Sequence, residues 1–481
     1  MRTIMSKTPV SRIKYLSDND MDRIHESTVK VLWETGLDFN HEEAREIFRK
    51  HGAKVDGKRV RIPRELVEEA MKTVPGQVTL YGRNRKNSVV LGAPYPRFYT
   101  NAGRHIVNVS DIDRGTRYAT YQDLVDMLKI MNASPNMDVC GGSPADPSDL
   151  PKATKHLYIA LANLKHTDKP LHTTVGDTRD TVKQVIDMME IAFGRERLEN
   201  EQIFITSCTP LCPLGYDEMP LENGIRAAEL GQIVNISPCA VSGVIGPISP
   251  YPGAIQQNIE FVGGMTLMQL VRPGTPVIYH ACGGIGNMKN LSYIGGTPDN
   301  QLLNGICNQM GVDFYHVPTR GNAPFTEAKV CDCQAGYETM MNLMAAVMSG
   351  ASLIDTSHGG LYNMMTTSYE KIIIDEEIVD RVRHFVSGID MEEHEDWIDS
   401  IQDVGPGGTY VTDMSTLTNY RELYTPTVGN WESMADWQAA GSPDVAQTAN
   451  RVWKERLAAA PESLLEPEIE KDLVNYIKKF E

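Results

Sequence analysis

An α/β fold built as a (β/α)8 TIM barrel is predicted for this chain by three observations. Short apolar runs ending in Gly, Pro, Cys or His recur along its middle: MDVCGG, PLHTTV, IFITSCTP, CAVSGVIGP, PVIYHACGG, DFYHVPTRG and SLIDTSHGG. Marked at Cys140, His172, Cys208, Cys239, Cys282, His316 and Asp355, they lie 32, 36, 31, 43, 34 and 39 residues apart, the length of a strand, a loop and a crossover helix. The stretches between them carry apolar residues at helical spacing. Eight such units close on themselves, whereas an open doubly wound sheet stops at about five or six.

The elements follow in order. A helix fits 17–36, with Ser17 or Asp18 as its cap and Gly36 as its stop. Helices over 41–51 and 63–73 come next, the second opened by Pro63 and closed before Pro75. VTLYG (78–82), SVVLG (88–92), RFYT (97–100) and HIVNVSD (105–111) alternate as hairpin strands do, so residues 1–120 form an N-terminal α+β extension. The barrel is expected over 121–435, with helices at 179–194, 253–272, 299–311, 333–350 and 369–388. Its eighth strand is placed at Tyr410–Thr412, after the VGPGG of 404–408. Helices at 442–459 and 466–479 make up a C-terminal region, 436–481.

Composition narrows the function. The 481 residues carry 46 Lys+Arg against 63 Asp+Glu, a net charge of −17, and at 41% hydrophobic and 23% charged they can bury a large core. An acidic chain without a dense basic block repels phosphate backbones, which excludes nucleic acid as a partner. No apolar stretch reaches the roughly 18 residues of a membrane span, and Met1–Lys14 has no apolar signal core, so the expected location is the cytoplasm. Eight scattered cysteines in a long acidic chain read as reduced thiols. Neither Cys208/Cys212 nor Cys331/Cys333 has a second pair or a His at zinc-ligand spacing, and no intrinsic metal is expected.

Barrels of this kind react at the C-terminal ends of their strands. Those ends carry Cys140 and Gly141, His172, Cys208 and Thr209, Ser242 and Gly246, His280 with Gly283 and Gly284, His316 with Arg320 and Asn322, and Asp355 with His358. The SHGG of 357–360 reads either as a close approach of backbone to a ligand or as a tight turn with a capping His. Each of the strand-end histidines reads equally as a hydrogen-bonded structural residue. There is no P-loop, no G-x-G-x-x-G opening a helix after a strand and no G-x-S-x-G elbow, which removes nucleotide and serine-hydrolase chemistry.

Four long strings go further: RIKYLSDNDMDRIHESTVKVLWETGLDF, HGAKVDGKRVRIPRELVEEAMKTVPGQVTLYGR, TEAKVCDCQAGYETMMNLMAAVMSGASLI and TSYEKIIIDEEIVDRV. Through them the chain resembles the trimethylamine methyltransferase family over essentially its whole length. The resemblance implies a (β/α)8 barrel that moves a methyl group from an amine to Co(I) of a cobalamin-type corrinoid carried by a separate, cognate corrinoid protein. The founding members carry pyrrolysine in the stretch that corresponds to Thr319–Lys329. Here that stretch reads TRGNAPFTEAK, ordinary residues throughout. Members of this kind resemble quaternary amine methyltransferases, with glycine betaine as the favoured substrate and carnitine, proline betaine and butyrobetaine as rivals.

The departure has a physical reading. Trimethylamine would have to leave as an amide-like anion, whereas a quaternary ammonium attacked by Co(I) leaves as a neutral tertiary amine, dimethylglycine in the case of glycine betaine. No general acid is needed. The pocket must place one N-methyl in line with cobalt and exclude water. Arg320 and His358 are expected to hold the carboxylate, and Tyr99, Tyr315, Tyr362 and Asp355 to face the cation. Gly141, Gly246, Gly283, Gly284, Gly359 and Gly360 are expected to leave room for the macrocycle at the mouth. A zinc-dependent thiol methyltransferase and a non-catalytic betaine-binding protein are the competing readings. The extra terminal helices suggest a homo-oligomer.

Overall fold

The computed structural model describes residues 7–92, 95, 97–101, 106–173, 176–323, 325–355, 358–390 and 394–481. Met1–Ser6, His105, Thr174, Val175, Pro324 and Ser357, all within segments singled out above, lie outside them.

The fold is mixed α/β. Five strands, Cys140–Gly141, Leu171–His172, Phe204–Cys208, Ile233–Ile236 and Val277–Tyr279, pair in chain order and are all parallel. Three more, Arg320–Asn322, Leu353–Asp355 and Tyr99–Thr100, form a second parallel set. Isolated parallel bridges join the two sets at both edges, Tyr279 with Thr319 and Asn101 with Val139. Each of the eight segments is followed by a helix: Tyr121–Ala133, Lys155–His166, Arg179–Phe193, Glu218–Glu229, Pro250–Val271, Pro298–Gln309, Cys333–Met348 and Tyr369–Val386. The helices start where the sequence supplies an acceptor for a free amide. Thr120, Thr178, Asp217, Thr297, Asp332 and Ser368 each accept from the first turn.

Two expectations fail here. The run CAVSGVIGP contributes only Val241–Ser242, which pairs with Gly284–Gly286 in a separate sheet, and the parallel strand is Ile233–Ile236 just before it. Tyr410–Thr412 is irregular backbone and turn, not a strand, and the eighth parallel segment is Tyr99–Thr100, which pairs with Leu353 and Ile354. The misplacement has a simple origin. The segment has only two strand residues, and the antiparallel pair Asn108–Asp111 and Gly115–Tyr118 separates it from its helix, so it looks like one hairpin strand among several.

Period-2 alternation gives the strands two unlike ends. Val139, Ile205, Ile233, Ile278 and Leu353 form one apolar cluster with the antiparallel hairpin Val78–Leu80 and Val89–Leu91, and Tyr99 packs on it. Two residues further along the same strands stand Gly141 and the polar side chains of Ser207, Asn235, His280 and Asp355. The hairpin thus covers an oily floor at the N-terminal ends, and polar groups collect at the C-terminal ends.

The terminal helices are already occupied within the chain. Asp18–Glu34 packs on Pro250–Val271, where Asn258 Nδ2 donates to Thr28 Oγ1 at 2.8 Å. Val445–Ala459 lies on Tyr369–Val386, with the Tyr369 and Trp453 rings 4.7 Å apart and Arg456 paired with Glu376 at 2.6 Å. Pro467–Ile477 covers Arg179–Phe193 and Lys155–His166, with Lys165 paired to Glu470 at 2.7 Å. Among the described residues no helix is long and apolar enough to cross a membrane.

Candidate functional site

The strand ends carry one continuous hydrogen-bond chain. Asn101 Nδ2 donates to His172 Nδ1 at 3.3 Å, which leaves the proton on His172 Nε2 to reach Ser207 Oγ at 3.1 Å. Asn235 Nδ2 donates to Ser207 Oγ at 3.3 Å and to Ser237 Oγ at 2.7 Å. Ser237 Oγ meets His280 Nδ1 at 2.9 Å. On the far side of the ring Asn322 Oδ1 lies 2.8 Å from His280 Nε2, and Asn322 is oriented by its own Nδ2, which donates to the Ala281 carbonyl at 3.0 Å. Its oxygen therefore faces the imidazole, and His280 carries its proton on Nε2 and accepts at Nδ1. Six side chains of this chain lie buried, and Ser207 is half-buried.

Beside this chain sits a charged pair. Arg320 Nη2 donates to Asp355 Oδ1, both side chains fully buried, and Asp355 Oδ2 lies 3.6 Å from His280 Nε2. The two residues come from neighbouring strands, with Arg320 opposite Leu353 and Asn322 opposite Asp355. The pair brings a fixed cation and a fixed anion together at the polar end of the strands.

His358 follows the last strand and is buried. Burial holds its pKa well below the ordinary value, reinforced by the charges of Arg383, Lys169, Lys371 and Arg456. It is a neutral imidazole in a positive field. The adjacent Gly359 N–H donates to Asp375 at 2.8 Å, and Asp375 is itself paired with the buried Lys371, so the helix Tyr369–Val386 fixes this loop.

Four sequence-based placements change. Tyr315 is not at the mouth. Its hydroxyl meets His25 Nδ1 at 3.2 Å and Asn258 Nδ2 at 2.8 Å, and its ring packs on Phe314 and Phe261, between the N-terminal helix and Pro250–Val271. The DFY of its run is the close of a helix, and the strand begins only at Arg320. His316 likewise precedes that strand and lines a cavity of about 670 Å³ with Arg12, Thr319 and Ser352, at the end opposite the polar groups. Tyr99 packs on the apolar floor cluster. Tyr362 stands at the rim, 48% exposed, with Lys329 Nζ 4.6 Å from its ring centroid, so its face already has a cation. Among the aromatic rings that follow strand ends, Tyr293 and Phe325 pack edge to face at 6.5 Å.

The glycines also differ from expectation, because protein fills the space beside them. A Cβ on Gly141 would stand 2.3 Å from the His172 carbonyl oxygen, on Gly283 2.3 Å from Gln257 Nε2, and on Gly284 2.2 Å from the Tyr293 ring. On Gly246 it would meet Ala240 at 3.0 Å, and on Gly359 Ile372 at 2.7 Å. Gly360 begins a two-residue strand paired with Thr366–Ser368. These are close-packing positions and do not clear space for a macrocycle.

His280, Cys282 and Asp355 bring ligand atoms within 4.8 Å of one another. The hydrogen bonds oppose a metal there. His280 Nε2 holds its proton, Nδ1 accepts from Ser237, and Asp355 is bound to a guanidinium.

Sequence comparison agrees with this architecture. The family model described as trimethylamine methyltransferase (MTTB) matches residues 1–481. The chain belongs to the trimethylamine methyltransferase family. Among its relatives, a glycine betaine methyltransferase of Desulfitobacterium hafniense (strain Y51) is 34% identical over 464 residues, covering 96% of each chain. A proline betaine:corrinoid methyltransferase of Eubacterium limosum is 29% identical, covering 92% of this chain and 93% of its own. The crystal structure of the Methanosarcina barkeri monomethylamine methyltransferase superposes with a TM-score of 0.53 at 10% identity, covering 95% of this chain and 89% of that one, a likeness of fold alone. Like the relatives that define the family, this chain is a methyltransferase.

Proposed function

We propose that this family member transfers a methyl group from a quaternary amine, glycine betaine foremost, to Co(I) of a corrinoid carried by a separate protein, and releases dimethylglycine. The observation that carries the substrate is the 34% identity to a glycine betaine methyltransferase across 96% of both chains. The buried charges suit it. A betaine is a zwitterion, and in this proposal the Arg320–Asp355 pair, whose members are joined to each other in the structure, supplies the anion for its ammonium and the cation for its carboxylate, with neutral His358 as a second donor. The ordered amides and hydroxyls around them exclude bulk water without supplying an acid, and a neutral leaving amine requires none. Tyr293 and Phe325, packed edge to face, take over in this proposal the role first given to Tyr99, Tyr315 and Tyr362 of facing the cation.

The architecture that supports this reading is a (β/α)8 barrel over 121–435 joined by Tyr99–Thr100 from the 1–120 extension, with 436–481 as outer helices. The two parallel bridges argue for closure. A cytoplasmic location follows from the acidic composition and eight free thiols. Self-association into a homo-oligomer belongs to the same proposal.

The test is a substrate panel with Co(I) cobalamin and the cognate carrier, following the spectral change to methylcobalamin, with metal analysis of the same preparation. Glycine betaine is expected to react, trimethylamine not, and Arg320→Ala to raise KM for the betaine. Preference for trimethylamine, or activity that tracks bound zinc, would refute the proposal.

A further inference from the structure

The loops that follow Ile233–Ile236 and Val277–Tyr279 build a small sheet of their own at the C-terminal ends of the strands. Val241–Ser242 pairs in parallel with Gly284–Gly286, which pairs antiparallel with Tyr293–Ile294. Two glycines let its side chains close together. A Cβ on Gly243 would stand 2.7 Å from Ile248 Cδ1 and 2.9 Å from Met288 Cε, and a Cβ on Gly286 would stand 2.5 Å from Val244 Cγ2 and 3.0 Å from the same Met288 atom. Met288 thus adjoins both Val244 and Ile248, and the three side chains form one surface over the two glycines. Val244 is 44% exposed, and Ile248 and Met288 are each 57% exposed. The same sheet reaches the site. The Tyr293 ring lies against Gly284, and its hydroxyl donates to the Gly283 carbonyl at 3.3 Å. Gly283 follows Cys282, whose thiol lies within 4.8 Å of ligand atoms of His280 and Asp355.

We propose that Val244, Ile248 and Met288 are the docking point of the corrinoid carrier, seated against the face of that protein that presents the corrin. The inference rests on the function proposed above and says where the second protein makes contact. Three features select this occupant. Cobalt has to come in line with an N-methyl held beside His280 and Asp355, so the carrier approaches the end of the strands that bears this sheet. The size fits a partner that leaves after every transfer: the three side chains expose on the order of 300 Å², the apolar centre of a short-lived contact and well short of the roughly 800 Å² that a stable interface takes from each partner. The composition fits as well. Residues 237–249 and 281–297 hold one charged side chain, Lys289, in a chain that is 23% charged. Interface centres are depleted in charge and enriched in Met, and here no carboxylate has to be desolvated at each docking.

The experiment measures binding of the cobalamin-loaded cognate carrier, and methyl transfer to it, for wild type, Ile248→Asp/Met288→Asp and Met288→Leu. In the double variant the dissociation constant and the KM for the carrier are expected to rise roughly 10- to 100-fold, with kcat at saturating carrier and the calorimetric affinity for glycine betaine held at wild type. Met288→Leu, which keeps the apolar surface, is expected to bind the carrier as wild type does. Amide exchange on wild type depends on no variant: adding the carrier should protect 241–248 and 284–293. A wild type that forms no methylcobalamin from glycine betaine and free Co(I) cobalamin, and whose loops gain no protection from the carrier, would overturn both the function and the surface. An active wild type whose carrier affinity survives in the double variant would overturn the surface alone. A double variant that sediments at a lower mass than wild type with no carrier present would assign the face to a second copy and refute the carrier.

Discussion

The Arg320–Asp355 pair gives the sharpest prediction. Asp355→Asn removes the carboxylate facing a guanidinium that has no exposure to water. Removing one partner of a buried pair costs about 3–5 kcal/mol, because the remaining charge stays desolvated. In a chain of this size that lowers the melting midpoint by roughly 5 °C. Replacing both, as Arg320→Met/Asp355→Leu, removes the charge along with its partner, and the stability is expected to return to near wild type. Activity separates the two roles. Both variants should lose methyl transfer from glycine betaine, since each lacks the carboxylate proposed to face its ammonium. The assay pairs a melt followed by circular dichroism with methylcobalamin formation from Co(I). An Asp355→Asn protein as stable as wild type would refute the energetics, and a double variant that still transfers methyl groups would refute the substrate role.

Further tests address acid stability and close packing. His166 is buried, and desolvation, with Lys129 and Lys165 nearby, lowers its pKa to about 4, against Glu462 and Glu470, which pull the other way. The unfolded chain takes a proton near pH 6.5 that the native chain refuses until about pH 4, so stability is full above that window and falls within it by at most about 3 kcal/mol. His166→Gln should flatten this part of a melting-against-pH curve. Gly141 has φ +110°, and its Cβ would meet the His172 carbonyl at 2.3 Å. Gly141→Ala is therefore expected to cost about 2–4 kcal/mol in a melt and to slow transfer by displacing His172.

Much of the strand order was readable because each apolar run ends in a turn-forming or polar residue and then gives way to a helical period. Tyr99–Thr100 escaped because two residues of strand carry no periodicity, and the chain makes a hairpin before its helix. In the site, His172, His280, Arg320 and Asp355 stood out as charged or titratable groups at the ends of apolar runs. Asn101, Ser207, Asn235 and Ser237 did not, although a signal existed. Each of the last three lies two or four positions beyond an inward Ile, at Ile205 or Ile233, and so on the same face. Tyr315 misled for the opposite reason, since an apolar run at a helix end is indistinguishable by period from a buried strand.

The hairpin Val78–Leu80 with Val89–Leu91 has a kinetic meaning. It covers the N-terminal ends of the strands with apolar side chains and leaves the polar groups to the C-terminal ends. Under the function proposed above, donor and carrier then approach the same end, so that loading precedes docking and the demethylated product leaves after the carrier.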